Sequence, residues 1–143
     1  MCSSAPTLPR LFCYKWKMLP AILVVGDVEE TRRGIERLLI ADGYAVGTAA
    51  EEEEAVLKSL FHAPDLVLMS LALDAAELVA VARRLRGRAG LPEAVPVVIF
   101  CVATLEEGAE VDVGNNVHMT RPDNFDQLRA FLNQLLQKLP RGC

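Results

Sequence analysis

Three short runs of uninterrupted apolar, largely β-branched residues constrain the fold most: residues 21–25 (AILVV), 66–69 (LVLM) and 97–101 (VVIFC). A strand with one wet face alternates apolar and polar side chains; a run that does not alternate belongs to a strand covered on both faces. Between these runs the apolar period changes to three and four. Val28, Thr31, Ile35, Leu38 and Leu39 predict a helix, opened by an Asp27/Glu30 capping box and stopped by Gly43. Residues 44–49 read as a strand. Residues 51–61 read as a helix with four glutamates at its N-terminus, where the helix dipole favours anions, and Pro64 follows it. Asp74 and Glu77 form a capping box for a helix running through residue 86. Residues 87–96, with Gly87, Gly90, Pro92 and Pro96, predict a loop. Residues 103–116 are polar and weakly patterned. Residues 117–120 form a further short strand. Asn124 and Gln127 open a last helix with an apolar face of Phe125, Leu128, Leu132, Leu135 and Leu139, ended by Pro140.

Strands alternating with helices predict an α/β domain, a parallel five-stranded sheet covered on both faces. Right-handed crossovers then give a three-layer αβα sandwich. The 143 residues suffice for one domain with a core that needs no cross-links. The expected division is an N-terminal extension over 1–19, the domain over 20–140 and a tail over 141–143. No uncharged apolar run approaches the ~18–20 residues that span a bilayer. The net charge of −4 argues against non-specific binding of nucleic acid or anionic membrane.

Residues 1–17 differ from the body. They carry Arg10, Lys15 and Lys17 and no acidic residue, and without them the chain has 12 basic and 19 acidic side chains, a charge of −7. Phe12, Tyr14 and Trp16 give the segment an aromatic cluster, suited to docking on a partner or on its own domain. Cys2, Cys13, Cys101 and Cys143 form no CxxC pair and no zinc-type cluster, so free thiols in a reducing, cytoplasmic setting are expected.

In open parallel sheets the functional edge lies beyond the carboxyl ends of the strands. That rule selects Gly26 and Asp27 after the first run, Ser70 after the run at 66–69, Cys101 after the run at 97–101, and Arg121 after residues 117–120.

These residues carry a resemblance. Ile22-Leu-Val-Val-Gly-Asp27, Gly43-Tyr-Ala-Val46, Pro64-Asp-Leu-Val-Leu-Met-Ser70, Pro96-Val-Val-Ile99 and Thr120-Arg-Pro122 stand in the order of the receiver domain of two-component response regulators. From residue 21 to 139 the chain resembles that CheY-like, flavodoxin-like fold, which implies strand order 2-1-3-4-5. The resemblance also implies phosphoryl transfer from a histidine kinase to an aspartate. An acidic pair would hold Mg²⁺, and a Ser or Thr and a Lys would bind the phosphoryl oxygens, charges that stabilise an oxygen-rich transition state.

Measured against that implied set, the acidic pair is Gly26-Asp27, the nucleophile position is Ser70, the Ser/Thr position is Cys101, the Lys position is Arg121, and the aromatic switch position is His118. A neutral serine hydroxyl without a base is a poor nucleophile. One carboxylate makes a weak hard-cation site, leaving Asp27 as a residual candidate at most and no metal or cofactor expected. The pocket therefore reads as a degenerate, pseudo-receiver site. Asp27 alternatively serves as a helix cap, and Arg121 is expected to form an ion pair with Asp27 or to bind an anion. Cys101 is read as a small buried filler or a redox thiol, His118 as an ordinary strand histidine or a pH switch, and Glu51 to Glu54 as a solvated helix start. The Pro-Gly turn implied after the nucleophile reads Asp74-Ala-Ala-Glu77. The implied fourth helix, at 103–116, is expected to be short or disordered.

Three functions follow as expectations. The first is a non-enzymatic signalling module acting by phosphorylation-independent protein contact, with a histidine kinase or output protein as partner and a homodimer permitted. The second is a phosphorelay protein with an atypical acceptor, for which Asp74 and Asp65 are the nearest carboxylates. The third is an anion- or small-ligand-binding module, although no GxGxxG phosphate loop is present.

Overall fold

The computed structural model of the chain describes residues 19–100 and 104–137. Cys101, the N-terminal aromatic cluster with the rest of residues 1–18, the expected helix end at Leu139 and Pro140, and the tail at 141–143 lie outside the described residues. The elements run β1 (Ala21–Gly26), α1 (Glu29–Ala41), β2 (Ala45–Ala49), α2 (Glu52–Phe61), β3 (Leu66–Ser70), α3 (Ala75–Ala89), β4 (Val97–Phe100), β5 (Glu110–Asp112), β6 (Val117–Thr120) and α4 (Phe125–Gln137).

The apolar runs become the central strands, and their burial is nearly complete because helices cover both faces. Side chains alternate between the two layers. Leu23, Val25, Val67, Met69, Val97 and Ile99 point into one core beneath α2 and α3. Ile22, Val24, Leu66, Leu68, Val98 and Phe100 point into the other, which Leu39 of α1 and the Leu128/Leu132/Leu135 stripe of α4 complete. Phe131 and Leu136 join that stripe.

The sheet corrects the five-stranded expectation. It has six strands in the order β2-β1-β3-β4-β6-β5. Five are parallel, and β5 runs antiparallel to β6. The extra strand takes the place of the implied fourth helix. Its three residues are all exposed, so they carry no apolar stripe that would hold a helix on the sheet. The backbone is satisfied instead by pairing with β6 through a tight turn in which Gly114, Asn115 and Asn116 all adopt positive φ.

Local chemistry explains two further differences. Helix α3 extends past residue 86 to Ala89, with Gly87 inside it. It ends where Gly90 adopts φ 65° and the Leu91 N–H reaches the Arg86 carbonyl, a closure that seats Leu91 in the core. Arg86 adds to that end: its guanidinium donates to the carbonyls of Pro92 (2.9 Å), Val95 (2.8 Å) and Asn116 (3.1 Å), tying α3 to the loop before β4 and the turn before β6. On α1, Leu38 and Val28 are exposed although their spacing places them on the apolar face. The expected Asp74/Glu77 capping box is present, with the Asp74 carboxylate accepting the Glu77 N–H at 2.8 Å. At α4, the Asn124 carbonyl oxygen Oδ1 accepts the Gln127 N–H at 2.9 Å.

Candidate functional site

Parallel register brings Gly26 opposite Ser70, so the ends of β1 and β3 form one edge. A cavity of about 50 Å³ opens there, lined by Gly26, Asp27, Thr31, Arg32, Ser70 and Phe100 among others. Three of the expected site residues, Gly26, Asp27 and Ser70, therefore meet. The φ of Gly26 is not in the left-handed region.

Asp27 does not cap α1. The N-cap is Val28, in extended backbone and with no side-chain hydrogen bond, so the expected Asp27/Glu30 capping box is not formed. Asp27 Oδ2 instead accepts the Ala72 N–H at 2.9 Å, fastening the end of β1 to the segment after β3. The turn that follows β1 swings the carboxylate across the edge, and the helix dipole is met by Glu29 and Glu30 in the first turn.

Arg121 bonds to the segment ahead of β5. Its Nη1 donates to the Leu105 carbonyl at 2.8 Å, its backbone N–H to Ala109 O at 3.0 Å, and its own carbonyl accepts the Gly108 N–H. Arg121 thus belongs to the β5 side of the sheet. The expected Asp27–Arg121 ion pair is not among the salt bridges of the described residues. Thr120, fully buried, donates its hydroxyl to Ala109 O at 3.1 Å and holds the same segment. His118 sits half-buried on β6, with Nε2 2.8 Å from Asn116 Oδ1 and its ring edge-to-face with Phe131.

The cation that does reach the edge is one the sequence reading did not single out. Arg32, half-buried in the second turn of α1, donates from Nη1 to the Gly26 carbonyl at 2.6 Å. The available signal was a glycine at the strand end followed by an arginine at i+6, on the same helical stripe as Val28.

These residues do not fit a bound Mg²⁺. Asp27 is the single carboxylate lining the cavity, and one of its oxygens is already committed to a backbone N–H. Among the described residues no cluster of three His, Cys, Asp or Glu side chains is placed to hold a metal ion. Mg²⁺ binding favours several carboxylate oxygens, of which this cavity supplies one residue's.

The other carboxylates considered are structural. Asp65 pairs with Ala21 at the opposite end of the sheet, accepting its N–H at 2.8 Å. Glu52 and Glu53, expected to be solvated, bind Arg84 and Arg88 of α3. The Arg84 hydrogen bond holds the Glu52 carboxyl below its ordinary pKa, with Arg88 assisting and burial opposing. Asp42 is lowered by its hydrogen bonds from Arg129.

At the far end of β1 and β2 lies a larger cavity of about 430 Å³, mostly apolar, between Val46, Gly47 and the end of α2 at Phe61 and Pro64. Leu57, Leu60 and Phe61 project from α2 beside it and are exposed.

No family model matches the chain. It is 25% identical over 122 residues to the response regulator ArlR of Staphylococcus aureus (strain Mu50), covering 84% of this chain and 54% of that protein. The chain thus spans about half the length of the curated relatives it matches. Among solved structures it is similar to the receiver domain from the hybrid histidine kinase CckA, with 27% identity and a TM-score of 0.57 over 82% of this chain and 99% of that one. The CheY-like response regulator receiver domain from Methylobacillus flagellatus shares the fold, with 18% identity, a TM-score of 0.60, and coverage of 82% and 98%. No helix among the described residues is long and apolar enough to cross a membrane. In strand order, in its sheet edge and in these likenesses, the chain resembles the CheY-like receiver domains of response regulators.

Proposed function

We propose that this domain is a non-enzymatic, cytoplasmic module of two-component signalling that acts by protein contact, independently of aspartyl phosphorylation. The observation that carries the reading is the chemistry of the β1/β3 edge: Gly26 and Ser70 face each other where the resemblance implies carboxylates. Asp27 alone supplies negative charge, and it is occupied by the Ala72 N–H. No aspartate stands where an acyl phosphate would form. The Asp74 carboxylate accepts the Glu77 N–H, which supports a role in helix capping and not as an atypical acceptor.

The scaffold offers surface for contact. Leu57, Leu60 and Phe61 form an exposed apolar group on α2, the kind of patch that marks an interaction site. The partner class that the relatives suggest is a histidine kinase or an output protein.

Amide NMR spectra with and without Mg²⁺ plus beryllofluoride, a phosphoryl analogue, test the reading. An unchanged spectrum is expected. Saturable shifts centred on Gly26, Asp27 and Ser70 would overturn it and return ligand-controlled switching at this edge.

A further inference from the structure

The apolar cleft at the N-terminal ends of β1 and β2 has its cause in the register. Leu23 points toward α2, and alternation puts Ala21 on the same face. There Ala21 stands opposite Ala45, and Leu23 opposite Gly47, so three of the four positions carry a methyl group or no side chain. Ala45 and Gly47 are left exposed. The hollow of about 430 Å³ has Phe61, the last residue of α2, on its wall, and that ring is 82% exposed. Leu57 and Leu60 stand four and one residues before Phe61 and continue its apolar surface along the helix. Bare apolar surface of this kind marks a place that something covers. We infer that the segment preceding β1 docks in this cleft on its own domain, with Trp16 in the hollow against Phe61 and Gly47.

Ala21 lines the cleft, and the segment joins the domain beside it. That junction is fixed. The Pro20 carbonyl accepts the Ala45 N–H at 3.0 Å, Asp65 Oδ2 accepts the Ala21 N–H at 2.8 Å, and the Ala21 carbonyl accepts the Asp65 N–H at 2.7 Å. Trp16 stands five residues before Ala21. Five extended residues reach about 17 Å, whereas the lining stretches 21–23 and 45–47 each run about 7 Å. So short a tether holds the segment at an effective concentration of millimolar order, at which weak contacts suffice. Composition matches the surface. Phe12, Tyr14 and Trp16 offer large apolar faces to an apolar hollow. Strand β2 ends the sheet, so its outer edge presents main-chain carbonyls to an indole N–H. Charge agrees: Arg10, Lys15 and Lys17 give the segment a positive charge against the −7 of the rest of the chain. Docking covers Phe61, so a partner for the Leu57, Leu60 and Phe61 patch has to displace the segment.

Trp16 is the only tryptophan of the chain, so intrinsic fluorescence of the full-length protein reports on it alone. The native chain is expected to emit to the blue of the urea-unfolded chain and to resist acrylamide quenching several-fold better, at every protein concentration. Phe61→Ser removes the aromatic wall. Gly47→Arg fills the hollow with bulk and a like charge, and its Cβ meets Leu23 Cδ1 at an ordinary 3.6 Å. Both positions are exposed, so both variants are expected to fold and to emit to the red with quenching restored. Should Gly47→Arg fail to fold, Ala45→Arg, at an exposed position on the same face, takes its place. Native emission equal to that of the unfolded chain overturns the inference. A blue shift retained in either folded variant overturns it too, because the indole is then buried elsewhere. A blue shift that fades on dilution overturns it in favour of a second copy of the chain. The docking stands apart from the chemistry of the β1/β3 edge: a beryllofluoride response overturns the functional reading alone, and an exposed Trp16 overturns this inference alone.

Discussion

Arg32 Nη1 bonds the carbonyl oxygen of Gly26 at 2.6 Å, across the turn that joins β1 to α1. The bond is made to a main-chain oxygen and leaves the place of a side chain at position 26 open. Gly26→Asp is therefore expected to fold, because a Cβ there meets only ordinary contacts at 3.6 and 3.7 Å. Its urea midpoint should stay close to that of the native chain. Arg32→Gln, which loses the charge-assisted bond to the Gly26 carbonyl, is expected to lower the midpoint, and to do so alike in the native and Gly26→Asp backgrounds if the bond depends only on the main chain. Unequal losses in the two backgrounds would show that the side chain at position 26 acts on the Arg32 bond.

Asp74 starts α3 by accepting the Glu77 N–H at 2.8 Å, and Glu77 Oε1 returns to the Asp74 N–H at 3.3 Å. Asp74→Ala is expected to cost about 1 kcal/mol. The urea midpoint should fall with an unchanged m-value. Asp74→Asn, which keeps an acceptor, should recover most of the loss.

Leu85 and Leu132 are fully buried on opposite faces of the sheet. Truncation of either to alanine is expected to cost about 2–5 kcal/mol, from lost transfer energy plus the cavity left behind. Because they share no partners across the sheet, the two losses should add. Equilibrium denaturation of both singles and the double checks this.

Acid should loosen the α2–α3 contact. Arg84, with Arg88, holds the folded-state pKa of Glu52 below its ordinary value of 4.5. A carboxyl depressed on folding contributes stability above its unfolded pKa and loses it as pH falls through the folded pKa. Native stability should therefore decline below about pH 4.5, and Glu52→Gln should flatten that part of the curve. Urea midpoints taken across the acid range measure it. A curve of unchanged slope in Glu52→Gln would assign the acid sensitivity elsewhere, Asp42 and Glu54 being the other groups with a lowered pKa.

Arg86 binds three carbonyls from the α3–β4 loop and the turn before β6. Arg86→Met keeps the stem and removes the donors. It is expected to cost about 2 kcal/mol or more, because half-buried carbonyls lose a charged partner. Hydrogen exchange should then speed up around Val95 and Asn116 ahead of the central strands, in line with local opening.

Particular residues show why some features were legible in the sequence. The runs at 21–25, 66–69 and 97–100 were readable because a strand covered on both faces carries its burial in its own composition. The Asp74/Glu77 box was readable because its partners are three residues apart. Gly87 misled, since glycine marks breaks in many chains, whereas here the helix continues to a left-handed Gly90. Strand β5 left no apolar trace because all three of its residues are exposed. The edge residues Gly26, Asp27 and Ser70 were found together by one rule, that the carboxyl ends of parallel strands share an edge. The partners of Asp27 and Arg121 were not. Each took a nearby backbone group, Ala72 N–H and Leu105 O, in place of the other.

The sequence by itself determined the parallel core, the helices that cover it and the absence of carboxylates at positions 26 and 70, because each is written in residue type or short-range period. Tertiary structure decided the sixth strand, the separation of Arg121 from Asp27 and the placing of Arg32 at the Gly26 carbonyl. Those outcomes depend on which backbone donors and acceptors come within reach once the strands align. That competition is settled over distances of a few ångströms, and no spacing along the chain records it.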